Sequence, residues 1–223
     1  METKLLFSQR ARLFLLVLVF SGILGCSNHS THKAGTTQPK SSTKPDDIEL
    51  IRQKEIQSQT KSTDQFGILI SKADFRLLAS REESKDFKDG VVPWISIDNP
   101  DKEIDRLIDK DQIIIPYQNV TLVIDYPLNN PTSTDIVTSG TGFSRRNLIS
   151  QISRVYREIY AEEEKTATTK TIPMEKRKGM INRNTTDGTF GIWGHDLTDL
   201  VLSSVEVYRS PGGRILLNLI VES

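Results

Sequence analysis

Residues 201–221, VLSSVEVYRSPGGRILLNLIV, decide the fold because two runs of strand-forming residues flank a strong turn sequence. Pro211 fixes its own backbone φ angle, and the two glycines after it accept angles that other residues avoid, so the stretch predicts a β-hairpin. The second run, residues 214–221, is apolar at most odd and even positions alike. Because that pattern is typical of a strand covered on both faces, we expect this strand at the centre of a sheet.

Upstream of the hairpin, residues 144–165 predict the helix that covers the sheet, with Ser144 as its N-cap. Its apolar side chains recur at helical spacing and form one broad stripe. They are Leu148, Ile149, Ile152, Val155, Tyr156, Ile159 and Tyr160.

Three consecutive carboxylates, Glu162, Glu163 and Glu164, lie near the end of this helix, where the helix dipole disfavours negative charge. One interpretation is a site for a cation or a basic partner. The other is a solvated helix end that frays, and we favour it because charge runs usually face water.

Shorter patterns complete the expected domain. Residues 74–79 fit either a strand or a helical turn, and Pro93 favours an edge or a bulge because it donates no ladder hydrogen bond. The elements do not alternate as strict βαβ units, so the sequence predicts an α+β fold, with a mainly antiparallel sheet packed against one long helix. Further strands are expected at 65–70, 91–97 and 119–126, and a short helix over 99–108.

The densest group of chemically capable side chains is TFGIWGHDLTDL, residues 189–200. One interpretation makes His195 a general base oriented by Asp196 or Asp199, as in an envelope hydrolase, with Trp193 as a candidate ligand contact. The other makes Asp196 the N-cap of a helical turn, Asp199 its third residue and His195 a structural hydrogen-bonding group. We favour the structural interpretation because, within the expected domain at 64–223, no second histidine, cysteine or serine motif completes a catalytic set.

Composition narrows the function classes without choosing one. The chain has 29 basic and 29 acidic side chains, so net charge gives no reason to expect a nucleic-acid partner. A single cysteine excludes an intramolecular disulfide and a Cys-x-x-Cys zinc or redox motif. We expect no cofactor and no metal ion. The segment 191–199 with the strand after it resembles parts of uncharacterised bacterial proteins, which implies no activity.

The N-terminus carries the most informative pattern. Three basic residues precede an apolar run that starts at Leu13, the arrangement of a secretory signal peptide. The run ends by residue 24 and is short against the roughly 20 apolar residues that span a bilayer. It leads into Ile23-Leu24-Gly25-Cys26, which resembles the lipobox of bacterial lipoproteins.

This resemblance implies a defined chemistry at the only cysteine. A diacylglyceryl group would alkylate the Cys26 sulfur, and cleavage would follow between Gly25 and Cys26. Since each buried methylene contributes roughly 0.8 kcal/mol, two or three acyl chains would anchor the protein stably. Ser27, in place of an aspartate, implies the outer membrane if the cell has one.

We therefore expect three parts: a signal peptide at 1–25, a lipid-anchored polar tether with a short helix at 26–63, and one α+β domain at 64–223. The stretch 27–45 has no large apolar residue and is too polar to pack on its own. The expected function is a non-enzymatic binding or structural module. It would be held at the membrane by its lipid and would contact an envelope protein or the cell wall, and the hydrolase is the alternative.

Overall fold

In the computed structural model every described residue belongs to one unit, which lies within residues 42–223. Cys26 and the predicted signal peptide therefore lie outside the described residues. Within the described ranges, no helix combines the length and the apolarity that a membrane span requires. The described residues are 49, 52–57, 64–178 and 182–223.

The domain contains ten strands and one long helix, α1, in the part of the chain that the structure describes. The helix spans Arg145–Thr166. In chain order the strands are β1 (Ile68–Asp74), β2 (Leu77–Leu78), β3 (Val91–Val92), β4 (Ile95–Ser96), β5 (Ile113–Ile115), β6 (Asn119–Ile124), β7 (Thr132–Val137), β8 (Phe143–Ser144), β9 (Val201–Arg209) and β10 (Ile215–Glu222).

A six-stranded sheet in the order β1-β9-β10-β6-β7 forms the centre of the fold, and β4 also pairs with β9. The hairpin prediction is confirmed, because β9 and β10 pair antiparallel around the turn at 210–214. The central position of β10 is also confirmed, since its other edge pairs with β6. This pairing is parallel, while every other strand pair in the sheet is antiparallel. The α+β class with a mainly antiparallel sheet is therefore confirmed.

Helix α1 supplies one side of the hydrophobic core. Ser144 is its N-cap as predicted, and the hydroxyl accepts a hydrogen bond from the backbone N–H of Asn147 at 3.2 Å. The apolar stripe is buried in one cluster with the inward side chains of β6, β9 and β10. The helix residues in that cluster are Leu148, Ile149, Ile152, Val155, Tyr156 and Ile159.

The structure corrects several of the shorter predictions. The first strand is not 65–70: a 3₁₀ turn, Asp64–Phe66, precedes it and the strand continues to Asp74. The strand predicted at 91–97 is two short strands, β3 and β4, because Pro93 between them has no N–H to donate.

The helix predicted at 99–108 is also wrong. The chain there forms two 3₁₀ turns, Pro100–Lys102 and Ile104–Arg106. The backbone becomes extended at Leu107, which is buried and bridges to Leu77 instead of continuing a helix. Its tertiary pairing with another strand therefore overrides the local helical spacing.

A helical segment over residues 52–57, which we call the entrance segment, precedes the sheet. It falls inside the region 26–63, where a short helix was predicted.

Candidate functional site

Five aromatic residues below the entrance segment are linked by ring contacts or by hydrogen bonds from their hydroxyls, and we call them the aromatic cluster. The rings of Tyr126, Trp193 and His195 lie 5.2 to 5.4 Å apart, and each of these residues is buried. Tyr126 follows strand β6, and helix α1 contributes the other two rings, Tyr156 and Tyr160. The cluster thus lies where the end of a sheet strand, the helix and the chain before β9 come together.

Tyrosine hydroxyls join these elements by hydrogen bonds. Tyr156 donates to the backbone carbonyl of Tyr126 at 2.9 Å, and Tyr160 donates to the carbonyl of His195 at 3.0 Å. The Tyr126 hydroxyl lies 3.0 Å from Nε2 of His195 and 2.8 Å from Oγ of Ser223. Burial raises the pKa of all three tyrosines, so their hydroxyls remain protonated at neutral pH.

The entrance segment contacts this cluster through two adjacent charged residues. Lys54 Nζ donates to Oδ1 of Asn129 at 2.6 Å and lies 5.7 Å from the centre of the Trp193 ring. Glu55 Oε1 lies 3.5 Å from Nε2 of His195. Burial lowers the pKa of Lys54. An ammonium and a carboxylate are therefore held side by side over the buried rings.

The two aspartates proposed as partners of His195 are held by other groups. The carboxylate of Asp196 accepts two hydrogen bonds from Arg177, at 2.6 and 2.9 Å. Asp199 Oδ2 accepts from the backbone N–H of Asp196 at 3.0 Å, at the start of the 3₁₀ turn Leu197–Asp199. Asp196 is the N-cap and Asp199 the third residue of this turn, which is the arrangement that the structural interpretation predicted.

Two buried arginines stand behind Asp196. The side chains of Arg177 and Arg183 are each only 3% exposed. Hydrogen bonding to Asp196 raises the pKa of Arg177, whereas burial lowers the pKa of Arg183, whose guanidinium lies 5.4 Å from the ring centre of Tyr160. Neither arginine was predicted from the sequence, because no local pattern marks a buried arginine.

The prediction of a solvated, frayed helix end at the three glutamates is wrong for Glu163, which is fully buried. Its Oε1 accepts from the Thr186 hydroxyl at 2.6 Å and from the N–H of Gly188 at 2.8 Å. Its Oε2 accepts from the N–H groups of Phe190 and Gly191 at 2.8 and 3.0 Å. The loop folds over the last turn of α1 and converges its donors on this one carboxylate.

The environment of Glu163 explains how a buried carboxylate stays charged. Burial alone raises the pKa of Glu163, but the hydrogen bonds from Thr186 and from the loop N–H groups outweigh burial and hold this pKa below its usual value. Gly188 has no room for a side chain, since a Cβ there would lie 2.7 Å from Oε2 of Glu163. Glu163 therefore sets the course of the loop 186–192 that leads into Trp193 and His195.

Two surface cavities lie away from the aromatic cluster. One, of about 480 Å³, is lined by residues 107 and 109–112. The other, of about 290 Å³, lies between helix α1 and the turn Pro100–Lys102. Among the described residues, no three histidine, cysteine or acidic side chains are grouped as metal ligands.

The chain matches no protein-family model, no curated protein and no solved structure. A function for the site therefore rests on its geometry. In that geometry the buried rings lie next to two polar groups. Oδ1 of Asn129 accepts a hydrogen bond from an ammonium, and Nε2 of His195 faces a carboxylate.

Proposed function

We propose that the protein is a lipid-anchored component of the bacterial envelope whose domain is a non-enzymatic binding module. The docking of Lys54 and Glu55 over Trp193 and His195 carries this proposal, because it presents the cluster as a surface that receives charged side chains of a polypeptide. The bonds that hold Asp196 and Asp199 support it further. They engage both of the carboxylates that the hydrolase alternative assigned to His195.

The anchor is proposed from the residue pattern at 23–26 and the apolar run before it. A lipid at Cys26 would hold the domain at the membrane, in the outer membrane if the cell has one. The module would then meet its partner, an envelope protein or a cell-wall component, within the envelope. Nucleic acid is not a proposed partner.

Replacing Cys26 with serine tests the anchor. We expect the wild-type chain, produced in a bacterium with lipoprotein maturation, to incorporate labelled palmitate and to sediment with membranes. The Cys26→Ser variant should lose the label completely and leave the membrane fraction, because a hydroxyl is too weak a nucleophile for the alkylation step. Ser27→Ala is the matched control and should keep both properties. Normal membrane retention of Cys26→Ser refutes the proposed anchor.

Replacing His195 with alanine tests the absence of hydrolysis. We expect the wild-type chain and His195→Ala to hydrolyse chromogenic ester, amide and phosphate substrates at the same background rate. Circular dichroism of both proteins establishes that the variant is folded. A wild-type rate above background that falls about 100-fold or more in His195→Ala, the scale of a lost general base, establishes the hydrolase instead.

A further inference from the structure

The contacts of Lys54 describe a small receptor for an ammonium group. Asn129 offers a carbonyl oxygen at 2.6 Å, and the ring of Trp193 lies 5.7 Å below the charge. A cation over an indole face is attracted by the negative charge of the ring face, and the attraction is larger where water is excluded. Trp193 is only 3% exposed, so the ring is held rigidly in its orientation by the core around it.

His195, next to this receptor, is suited to bind a carboxylate. Nε2 of His195 lies 3.5 Å from Glu55 and 3.0 Å from the hydroxyl of Tyr126. Burial keeps the Tyr126 hydroxyl protonated, so the carboxylate meets a polar, hydrogen-bonding floor and not a negative charge. The ammonium and carboxylate positions are spaced as two neighbouring residues of one peptide present them.

Two half-buried charged residues of the entrance segment, Lys54 and Glu55, occupy these positions. The next residue, Ile56, is 51% exposed and does not pack into the core. Contacts between such charged groups contribute only about 0.2–1 kcal/mol each. A ligand with the same pair of charges can therefore compete for the same positions.

We propose that the site beneath the entrance segment binds a protein segment that presents a lysine followed directly by a glutamate, and that Lys54 and Glu55 occupy this site as an internal competitor. The proposal rests on the proposed function as a binding module and names the partner chemistry of that same site. The entrance segment precedes the sheet in the same chain, so its effective concentration at the site is high, about millimolar for short connections. An external segment therefore has to displace Lys54 and Glu55 before it can bind at this site.

The test uses the full protein purified in detergent, in a Trp94→Phe background that leaves Trp193 as the only tryptophan. The probe is the blocked peptide ELIRQKEIQ, which copies residues 49–57. It is titrated into the chain with Lys54 and Glu55 present and into a Lys54→Ala/Glu55→Ala chain, with Trp193 fluorescence as the signal. We expect saturable binding to the alanine chain and binding about tenfold weaker to the chain that keeps both residues.

Two matched controls locate the bound peptide. The peptide ELIRQMQIQ, which lacks the two charges, should bind the alanine chain about tenfold more weakly, and so should ELIRQKEIQ when Asn129→Ala is added. Any of three results overturns the proposal. ELIRQKEIQ binds equally well with and without Lys54 and Glu55, ELIRQMQIQ binds the alanine chain as tightly as ELIRQKEIQ does, or no titration gives a saturable signal. Each of these results leaves palmitate labelling and the His195→Ala rates unaffected, so failure of this inference is distinguishable from failure of the proposed function.

Discussion

Replacing Glu163 with glutamine is expected to lower the free energy of unfolding by about 2–4 kcal/mol, because the donors that meet one carboxylate oxygen lose their acceptor at roughly 1–3 kcal/mol each. The amide keeps one acceptor oxygen, but its NH₂ group faces backbone N–H donors that the carboxylate had satisfied. Those donors belong to Gly188, Phe190 and Gly191, of which Gly191 is buried and the other two are half-buried.

Urea denaturation followed by circular dichroism measures this loss. The neighbouring glutamates provide matched controls on the same helix turn. The Glu162 side chain is 43% exposed and pairs with Lys165 at 3.4 Å, so Glu162→Gln should change the free energy of unfolding by no more than about 0.5 kcal/mol. A Glu163→Gln variant as stable as Glu162→Gln would show that the carboxylate does not organise the loop.

The pKa of Glu163 determines how the stability difference between wild type and Glu163→Gln changes with pH. The pKa of Glu163 is lower in the folded chain than in the unfolded chain, so the ionised carboxylate stabilises the fold fully above the unfolded pKa of about 4.3. This contribution is lost as the pH falls through the folded pKa. The stability gap between wild type and Glu163→Gln should therefore be constant from pH 7 to about pH 5 and narrow below pH 4.

Replacing Asp196 with alanine is the second large expected effect, a loss of about 2–4 kcal/mol of unfolding free energy. The substitution removes both hydrogen bonds that Arg177 makes to the carboxylate. It also leaves two guanidinium groups, each 3% exposed, without their shared counter-charge, since Arg183 Nε lies 3.8 Å from the same carboxylate. An unpaired buried charge costs more than the pair contributes.

A double-mutant cycle separates this structural role from a catalytic one. Thermal and urea denaturation of Asp196→Ala, Arg177→Met and the double variant should give a coupling energy of about 1–3 kcal/mol, because removing both charges leaves fewer unpaired groups than removing one. If Asp196 served only to orient His195, its removal would leave stability unchanged. A coupling energy near zero would contradict the ion pair as a stabilising contact.

The parts of the fold with local apolar periodicity could be predicted from the sequence. The terminal hairpin and helix α1 follow directly from spacings of two and about 3.6 residues. Strands β5 and β8 could not be found, because three residues and two residues are too short to show a period. Strand β7 was missed because its sequence, TSTDIV, is mostly polar, as suits the last strand of the sheet.

The candidate site was predictable in its residues but not in its contacts. Trp193, His195, Asp196 and Asp199 stand together in the chain, whereas Tyr126 is 69 positions from His195. Pairings at that separation depend on the sheet and leave no local trace. Glu163 lies four positions after Ile159, but Glu164 lies four positions after Tyr160, so the helical spacing alone does not single out Glu163 as the buried carboxylate.

The position of β10 has a consequence for how the chain folds in time. Residues 215–222 pair with both β9 and β6, so the sheet cannot close until these residues lie between those two strands. Contacts between residues so distant along the chain form slowly, because their loops must be closed first. A nascent chain lacking these residues has no central strand on which to assemble. The sheet therefore closes late in folding, after residues 215–222 have reached both of their partner strands.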